Sequence, residues 1–299
     1  MADREDYSHL KDIGKALIHA TDQERIHAIR AGTWINYPSA KEILAWMEDL
    51  LDYPRITRMP NMLLVAPSFN GKTSLLEHFM KKHPPDLDPV LEVTNCPVVM
   101  VEAPETPNVS ALYSRILDKL MAPYKPGASP QEKDSQIKYL FSRMGVKMLI
   151  IDEINNLIAG SSNKQRAFRN ALKGLGNATK IVIVAAGTED AYNAFNQDPQ
   201  MSSRFTPKEL PLWKAGKLLA QLFQTLEERT PLKRPSNLKD PAKMQEIHFR
   251  SEGALGDICD LFKELAVDAI RNKSEQITLE SIQTLRWVPP SKRKQYRRL

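Results

Sequence analysis

Two apolar runs with polar ends constrain this chain more than anything else in it. Residues 62–73 read MLLVAPSFNGKT and residues 148–153 read MLIIDE. The first run breaks at Asn70-Gly71-Lys72-Thr73, and the second ends in the paired acids Asp152 and Glu153. A strand that turns through Gly-Lys-Thr into a helix is the layout of a phosphate-binding loop. Its backbone N–H groups wrap the phosphates, the Lys reaches the β and γ oxygens, and the hydroxyl ligates Mg²⁺. The second strand supplies acids for the metal shell and for the attacking water.

On this reading Ala66, Pro67, Ser68, Phe69, Asn70, Gly71, Lys72, Thr73 and Ser74 cradle ATP. Thr73 and Asp152 hold Mg²⁺, and Lys72 and Glu153 act in catalysis. Glu153 has a plainer alternative as a solvated residue at a strand end. The loop departs from the usual pattern at its first position, where Ala66 replaces a Gly whose main use is to ease the turn. Ala accepts most backbone conformations except positive φ.

The strand VVMVEA at 98–103 and the β-branched strand 181–184 alternate with helical stretches at 74–82, 109–121, 135–144 and 163–173. Strands alternating with helices argue for a parallel sheet covered on both faces. A fifth strand is expected near 208–212. Ser39 and Glu42 suggest a capping box opening the helix before the sheet. Helical spacing marks residues 8–30, with a break near His19 to Asp22. The segment Trp34 to Pro38 either closes over an adenine ring or simply packs. From residue 214 onward the apolar positions keep only a helical period, and Thr278 opens a last short helix. The expected organisation is an N-terminal helical extension (1–38), a P-loop ATPase domain (39–213), an all-helical domain (214–286) and a basic tail (287–299).

Two more polar signals stand near the motifs. Thr188 follows Gly187 at the end of a strand, where a hydroxyl would sense the γ-phosphate or merely cap a helix. Arg204 in Ser203-Arg204-Phe205 is placed to be an arginine finger on a neighbouring subunit's nucleotide, or is a surface cation.

Charge is distributed unevenly. The last fourteen of the 299 residues hold six of the 42 basic side chains (Arg286, Lys292, Arg293, Lys294, Arg297 and Arg298) and no acid. The remaining 36 balance the 36 acids, so the tail carries the whole excess of +6. With Trp287 and Tyr296 interleaved, it reads as a polyanion contact or as a solubilising end. Two isolated cysteines, Cys96 and Cys259, make neither a disulfide framework nor a metal site and point to a reducing compartment. The first residues lack a signal-peptide apolar region, and no apolar run approaches the ~18 residues of a membrane span, so a cytoplasmic protein is expected.

These features in this order resemble the AAA+ ATPases, and more narrowly the TniB family of transposon ATPases, relatives of TnsC-type regulators and the phage Mu B protein. The segments that carry the resemblance are RMPNMLLVAPSFNGKT, MLIIDEINNLIAGS, VIVAAGTEDA, SSRFTPKELPLW, TPLKRPSNL and SEGALGDICDLFKELAVDAI, between about residues 30 and 285. The resemblance implies an αβα sandwich around a parallel sheet, followed by an all-helical lid. It also implies homo-oligomers (rings or filaments) that assemble on double-stranded DNA with ATP and hand a target site to a DDE transposase. A TniQ-type targeting protein is a further partner of that kind. Carried over by position, Lys72 and Thr73 match the P-loop, Asp152 and Glu153 the two acids, Arg204 the finger and Thr188 the first sensor. Asn155 and Asp257 depart from the family pattern. Asp257 stands where many relatives place a second-sensor Arg, and an acid cannot bind a γ-phosphate. Two other readings stay open: a helicase- or clamp-loader-like ATPase, and a nucleotide-gated adaptor with negligible hydrolysis.

Overall fold

The computed structural model describes residues 7–86, 94–158 and 160–296. Two helices open the chain, α1 (Asp12–Leu17) and α2 (Asp22–Ala31), and α3 (Pro38–Leu51) follows. Then come β1 (Asn61–Val65), α4 (Lys72–Lys82), β2 (Val98–Glu102), α5 (Val109–Lys119), α6 (Pro130–Arg143) and β3 (Met148–Asp152). After a 3₁₀ turn at Ile154–Ile158 the chain forms α7 (Ser162–Thr179), β4 (Val182–Gly187), α8 (Glu189–Asn196), α9 (Pro199–Ser202) and β5 (Phe205–Glu209). Five helices complete it: α10 (Lys217–Arg229), α11 (Pro241–Ser251), α12 (Leu255–Arg271), α13 (Leu279–Thr284) and α14 (Pro290–Tyr296). Contacts divide these elements into two compact units, one of residues 38–211 and one joining the chain up to Tyr37 with the chain from Leu212.

The first unit is built on a five-stranded parallel sheet in the order β2-β3-β4-β1-β5. The three inner strands are buried almost throughout, which explains why they read as unbroken apolar runs. Alternate residues then serve opposite faces. Leu63, Val99, Val101, Leu149, Ile151, Ile183 and Ala185 join one core with Leu112 and Ile116 of α5, Phe141 of α6, Phe168 and Leu172 of α7 and Phe195 of α8. Met62, Leu64, Ile150 and Val184, on the other face, are equally buried, as are Ile43 and Met47 of α3 and Leu76 and Phe79 of α4. The result is an αβα sandwich.

Several element boundaries differ from expectation, each for a local reason. Helix α3 begins at Pro38, so Ser39 lies inside its first turn and is not the cap. Helix α6 starts earlier than expected because Ser129 caps it, with Glu132 closing a capping box and Pro130 in the first turn. Helix α7 runs through Gly174 and Gly176 to Thr179. Gly176 is there for packing, since a Cβ at that position would sit 3.2 Å from Ile183 Cδ1. Strand β5 lies three residues before its expected place. It is an edge strand with a mostly exposed, polar pattern that hides its period.

The second unit is all helical, and residues 7–37, expected as a separate extension, belong to it. Its core joins Ile29 of α2 to Leu222 and Phe223 of α10, Ile247 of α11, and Ile258, Leu261, Leu265 and Ile270 of α12. Arg25 of α2 is buried there and grips Glu275, with further donation to the Pro231 carbonyl at 3.0 Å. Tyr37 packs edge-on against Trp213, ring centroids 5.1 Å apart, which favours the packing role over an adenine contact. No helix among the described residues is long and apolar enough to cross a membrane.

Candidate functional site

The residues expected to bind nucleotide all fall in the sheet unit, at the C-terminal ends of the central strands. Strand β1 delivers the chain into residues 66–71, and α4 begins at Lys72 with Gly71 as its N-cap. Gly71 has φ +86, a left-handed conformation that glycine adopts without penalty. Phe69 also lies there, at φ +61, with its side chain exposed. A bulky residue in that region is a true outlier, of the kind that clusters at ligand-binding loops. Ala66 has no positive φ, so the missing Gly costs the turn nothing. Its N–H donates to the Gly187 carbonyl at 3.1 Å, tying the loop to β4.

Lys72 is buried, and its Nζ donates to the carbonyls of Ala66 and Pro67, both at 3.0 Å. Burial pulls its pKa below the ordinary lysine value, while Glu153 and Asp152 hold it up. Asn70 pins the loop from the other side, its Nδ2 donating to the Leu210 carbonyl at 2.8 Å. A rigid loop closed by its own lysine is pre-shaped around the space that phosphates would take.

Thr73 and Asp152 meet directly. The Thr73 hydroxyl donates to Asp152 Oδ2 at 2.6 Å, while Asp152 Oδ1 accepts the Glu153 N–H at 2.8 Å. A hydroxyl and a carboxylate are the hard oxygen donors that Mg²⁺ takes when it is held by few protein groups and by phosphate and water. The residues therefore fit the metal. Glu153 sits at φ +53, which turns the chain sharply out of β3 and leaves its side chain only partly buried. No group of three or more His, Cys, Asp or Glu side chains among the described residues forms a metal site of another kind.

The strand order brings Thr188 close to these groups. Strand β4 lies between β3 and β1, with Gly187 in register with Val65. Thr188 is the N-cap residue of α8 by position, but its side chain makes no cap hydrogen bond. Gly187 admits no side chain: a Cβ there would lie 2.8 Å from the Ala191 Cβ and 2.9 Å from Ile154 Cγ2. Asn155, next to this junction, has a buried Oδ1 with no hydrogen-bond partner.

Arg204 is not part of this cluster. Its carbonyl accepts the Asn61 N–H at the start of β1, whereas the phosphate loop leaves the end of that strand. Five strand residues span roughly 16 Å, beyond the reach of an arginine side chain. Its Nη1 donates to Asn177 Oδ1 at 2.7 Å. The preceding Ser203 receives Arg58 Nη2 on its hydroxyl (2.7 Å) and on its carbonyl (3.1 Å). Neither contact was identifiable from the sequence, because Asn177 lies 27 residues from Arg204 and Arg58 lies 145 residues from Ser203.

A family model described as bacterial TniB protein matches residues 25–215. The chain belongs to the TniB family. No curated protein matches it. Among solved structures, this TniB chain is similar to the ORC2 protein of Aeropyrum pernix (ADPNP-ADP complexes), at 15% identity and a TM-score of 0.59, covering 82% of this chain and 65% of that one. It is also similar to the Aeropyrum pernix ORC1 protein in complex with DNA, at 16% identity and TM-score 0.55, covering 82% and 63%. Cdc6p from Pyrobaculum aerophilum aligns at 15% identity and TM-score 0.56, covering 86% and 68%. The TniB chain thus spans just under two thirds of the two ORC proteins. Identities this low speak for the fold alone, and that fold is the AAA+ αβα sandwich with a C-terminal helical lid.

Proposed function

We propose that this chain is an ATP-dependent regulator of DNA transposition that assembles on target double-stranded DNA and recruits a DDE transposase. The observation that carries the nucleotide half is the Thr73–Asp152 hydrogen bond beside the Lys72 loop, which gathers the metal and phosphate groups of the two motifs. Mg²⁺, when bound, would supply charge neutralisation for the phosphates. The chain's own residues would do the rest. Lys72 would exchange its loop carbonyls for phosphate oxygens, Glu153 would orient the attacking water, and Thr188 would contact the γ-phosphate from β4.

The placement of Arg204 supports an oligomer. Being at the far end of β1 from Lys72, it would serve a nucleotide only on a neighbouring copy, so hydrolysis and assembly would be coupled. The TniB membership supports transposition as the setting, and the ORC1 structure in complex with DNA supports DNA as what the chain assembles on.

The deciding experiment is duplex binding and transposase retention with ATP, with ADP and with no nucleotide. Binding and retention that need ATP are expected. Binding that prefers single strands or primed junctions would replace this reading with a clamp-loader-like one. One observation favours the nucleotide-gated adaptor as the second reading: Asp257 is buried and paired with Arg293, so the second-sensor position offers no cation of its own. Turnover that stays negligible with DNA present would select it.

A further inference from the structure

The basic C-terminal segment is fastened down. Helix α14 is held to the helical unit at two points by two acids. The first is Glu252, at the end of α11. Its carboxylate accepts the Ser291 N–H at 3.2 Å and the Ser291 hydroxyl at 2.5 Å. Glu252 adopts φ +53, a conformation that glycine normally fills at a helix end. The strained acid is explained by what its side chain grips.

The second point is Asp257, in the first turn of α12. Its Oδ1 lies 2.6 Å from Arg293 Nη2, a charge contact rather than an aligned hydrogen bond. The Asp257 side chain is 3% exposed and that of Arg293 42%. Arg293 also lies over the Trp287 ring, 5.0 Å from its centroid. The Trp287 Nε1–H donates to the Arg250 carbonyl at 2.9 Å, and the ring packs on the helical core.

We propose that α14 is a locked arm for the phosphate backbone of double-stranded DNA, and that Glu252 and Asp257 are its locks. This rests on the DNA-binding reading above and adds where the duplex is met. The segment from Arg286 on carries six cations and no acid, and Arg286 and Lys292 are exposed. A surface for a protein partner would offer an aromatic anchor, but Trp287 is turned inward and occupied. Among the described side chains, Arg286 and Lys292 present positive charge on a fixed frame. Fixing it in advance removes the ordering cost that a loose tail would meet on binding. Asp257 thereby has a use that differs from nucleotide sensing.

The test compares full-length wild type with Asp257→Asn, Glu252→Gln and Arg286→Gln/Lys292→Gln, in ATP and across a salt series. Trypsin cleavage after residues 292–294 reports the lock. Asp257→Asn is nearly isosteric and raises the net charge by one, so a loose electrostatic tail would bind duplex more tightly. The locked arm predicts the opposite: faster cleavage in both lock variants, and affinity weakened roughly two- to tenfold, the worth of one or two ordered side chains. Arg286→Gln/Lys292→Gln, which loses the site after residue 292, should keep the wild-type cleavage rate after residues 293 and 294 and flatten the salt slope by about 1.8, at about 0.9 per phosphate contact.

Unchanged cleavage, or equal or tighter binding by Asp257→Asn, overturns the lock. An unchanged salt slope in Arg286→Gln/Lys292→Gln overturns the duplex contact and leaves a protein partner as the arm's occupant. Wild type that binds no duplex at all overturns the parent function together with the arm, a result distinct from either variant failing alone.

Discussion

The Thr73 hydroxyl donates to Asp152 Oδ2 at 2.6 Å, joining the first turn of α4 to the last residue of β3. Residues 79 positions apart thus share one oxygen-rich corner, and the proposed chemistry turns on it.

Glu153 stands beside that corner without entering it, so its removal should separate binding from turnover. Glu153→Gln should keep ATP affinity and slow hydrolysis about 10²- to 10⁴-fold, the usual worth of a positioned general base. Lys72→Ala should instead weaken ATP binding itself. Titration of a fluorescent ATP analogue and steady-state phosphate release measure the two effects, and equal turnover in wild type and Glu153→Gln would remove Glu153 from catalysis.

Arg204 lies at the opposite end of β1 and should act on a neighbour. Arg204→Ala subunits should bind ATP normally and hydrolyse poorly. Mixed with Lys72→Ala subunits they should regain part of the activity, since some interfaces then pair an intact loop with an intact finger. A mixture of demonstrated hetero-oligomers no more active than either parent would refute action in trans.

Gly187 fixes the spacing between the motif strands and the helix that follows. Gly187→Val should cost about 1–3 kcal/mol, because even a Cβ would lie within 2.9 Å of Ala191 and Ile154. Denaturant melts measure the loss, and weakened ATP binding should accompany it.

Arg25 and Glu275 give the helical unit an acid limit. Burial would raise the Glu275 carboxyl, but the hydrogen bond from Arg25 and the N–H of Lys233 outweigh it and hold the group below 4.5. A depressed carboxylate contributes stability that is fully present above its unfolded value and fades as pH falls through the folded one. Glu275→Gln should therefore lower Tm at pH 7 and flatten the stability loss that wild type shows below about pH 4.5. Arg25→Ala should cost about 3–5 kcal/mol, since it strands a buried carboxylate. Thermal melts across pH 3–7 would reveal an error if the variants and wild type lost stability in parallel.

The sequence made legible whatever depended on short-range pattern. The inner strands β1, β3 and β4 could be found because burial on both faces demands unbroken apolar runs, and the polar residues at their ends then marked the candidate site. Long-range placement could not be read. Nothing near Arg204 announces Asn177, 27 residues away, and nothing near Asp257 announces Arg293. Left-handed residues were equally hidden, because Phe69, Glu153 and Glu252 are not types that signal positive φ. The bounds of β5 were misjudged because an edge strand need not alternate cleanly.

That edge strand has a consequence for how copies would join in the proposed oligomer. The Leu210 N–H donates to the Val65 carbonyl, so by alternation the amides of residues 208 and 206 also face β1, and residue 207 faces outward. Residue 207 is a proline, which places a missing donor on the open rim of the sheet. A second sheet cannot zip onto this rim through an uninterrupted backbone ladder. Copies joined by such a ladder would stay joined whatever nucleotide they held. With that route blocked on this side, joints there in the proposed oligomer would be left to side chains, and side-chain joints are the kind that a γ-phosphate's arrival or departure can make and break.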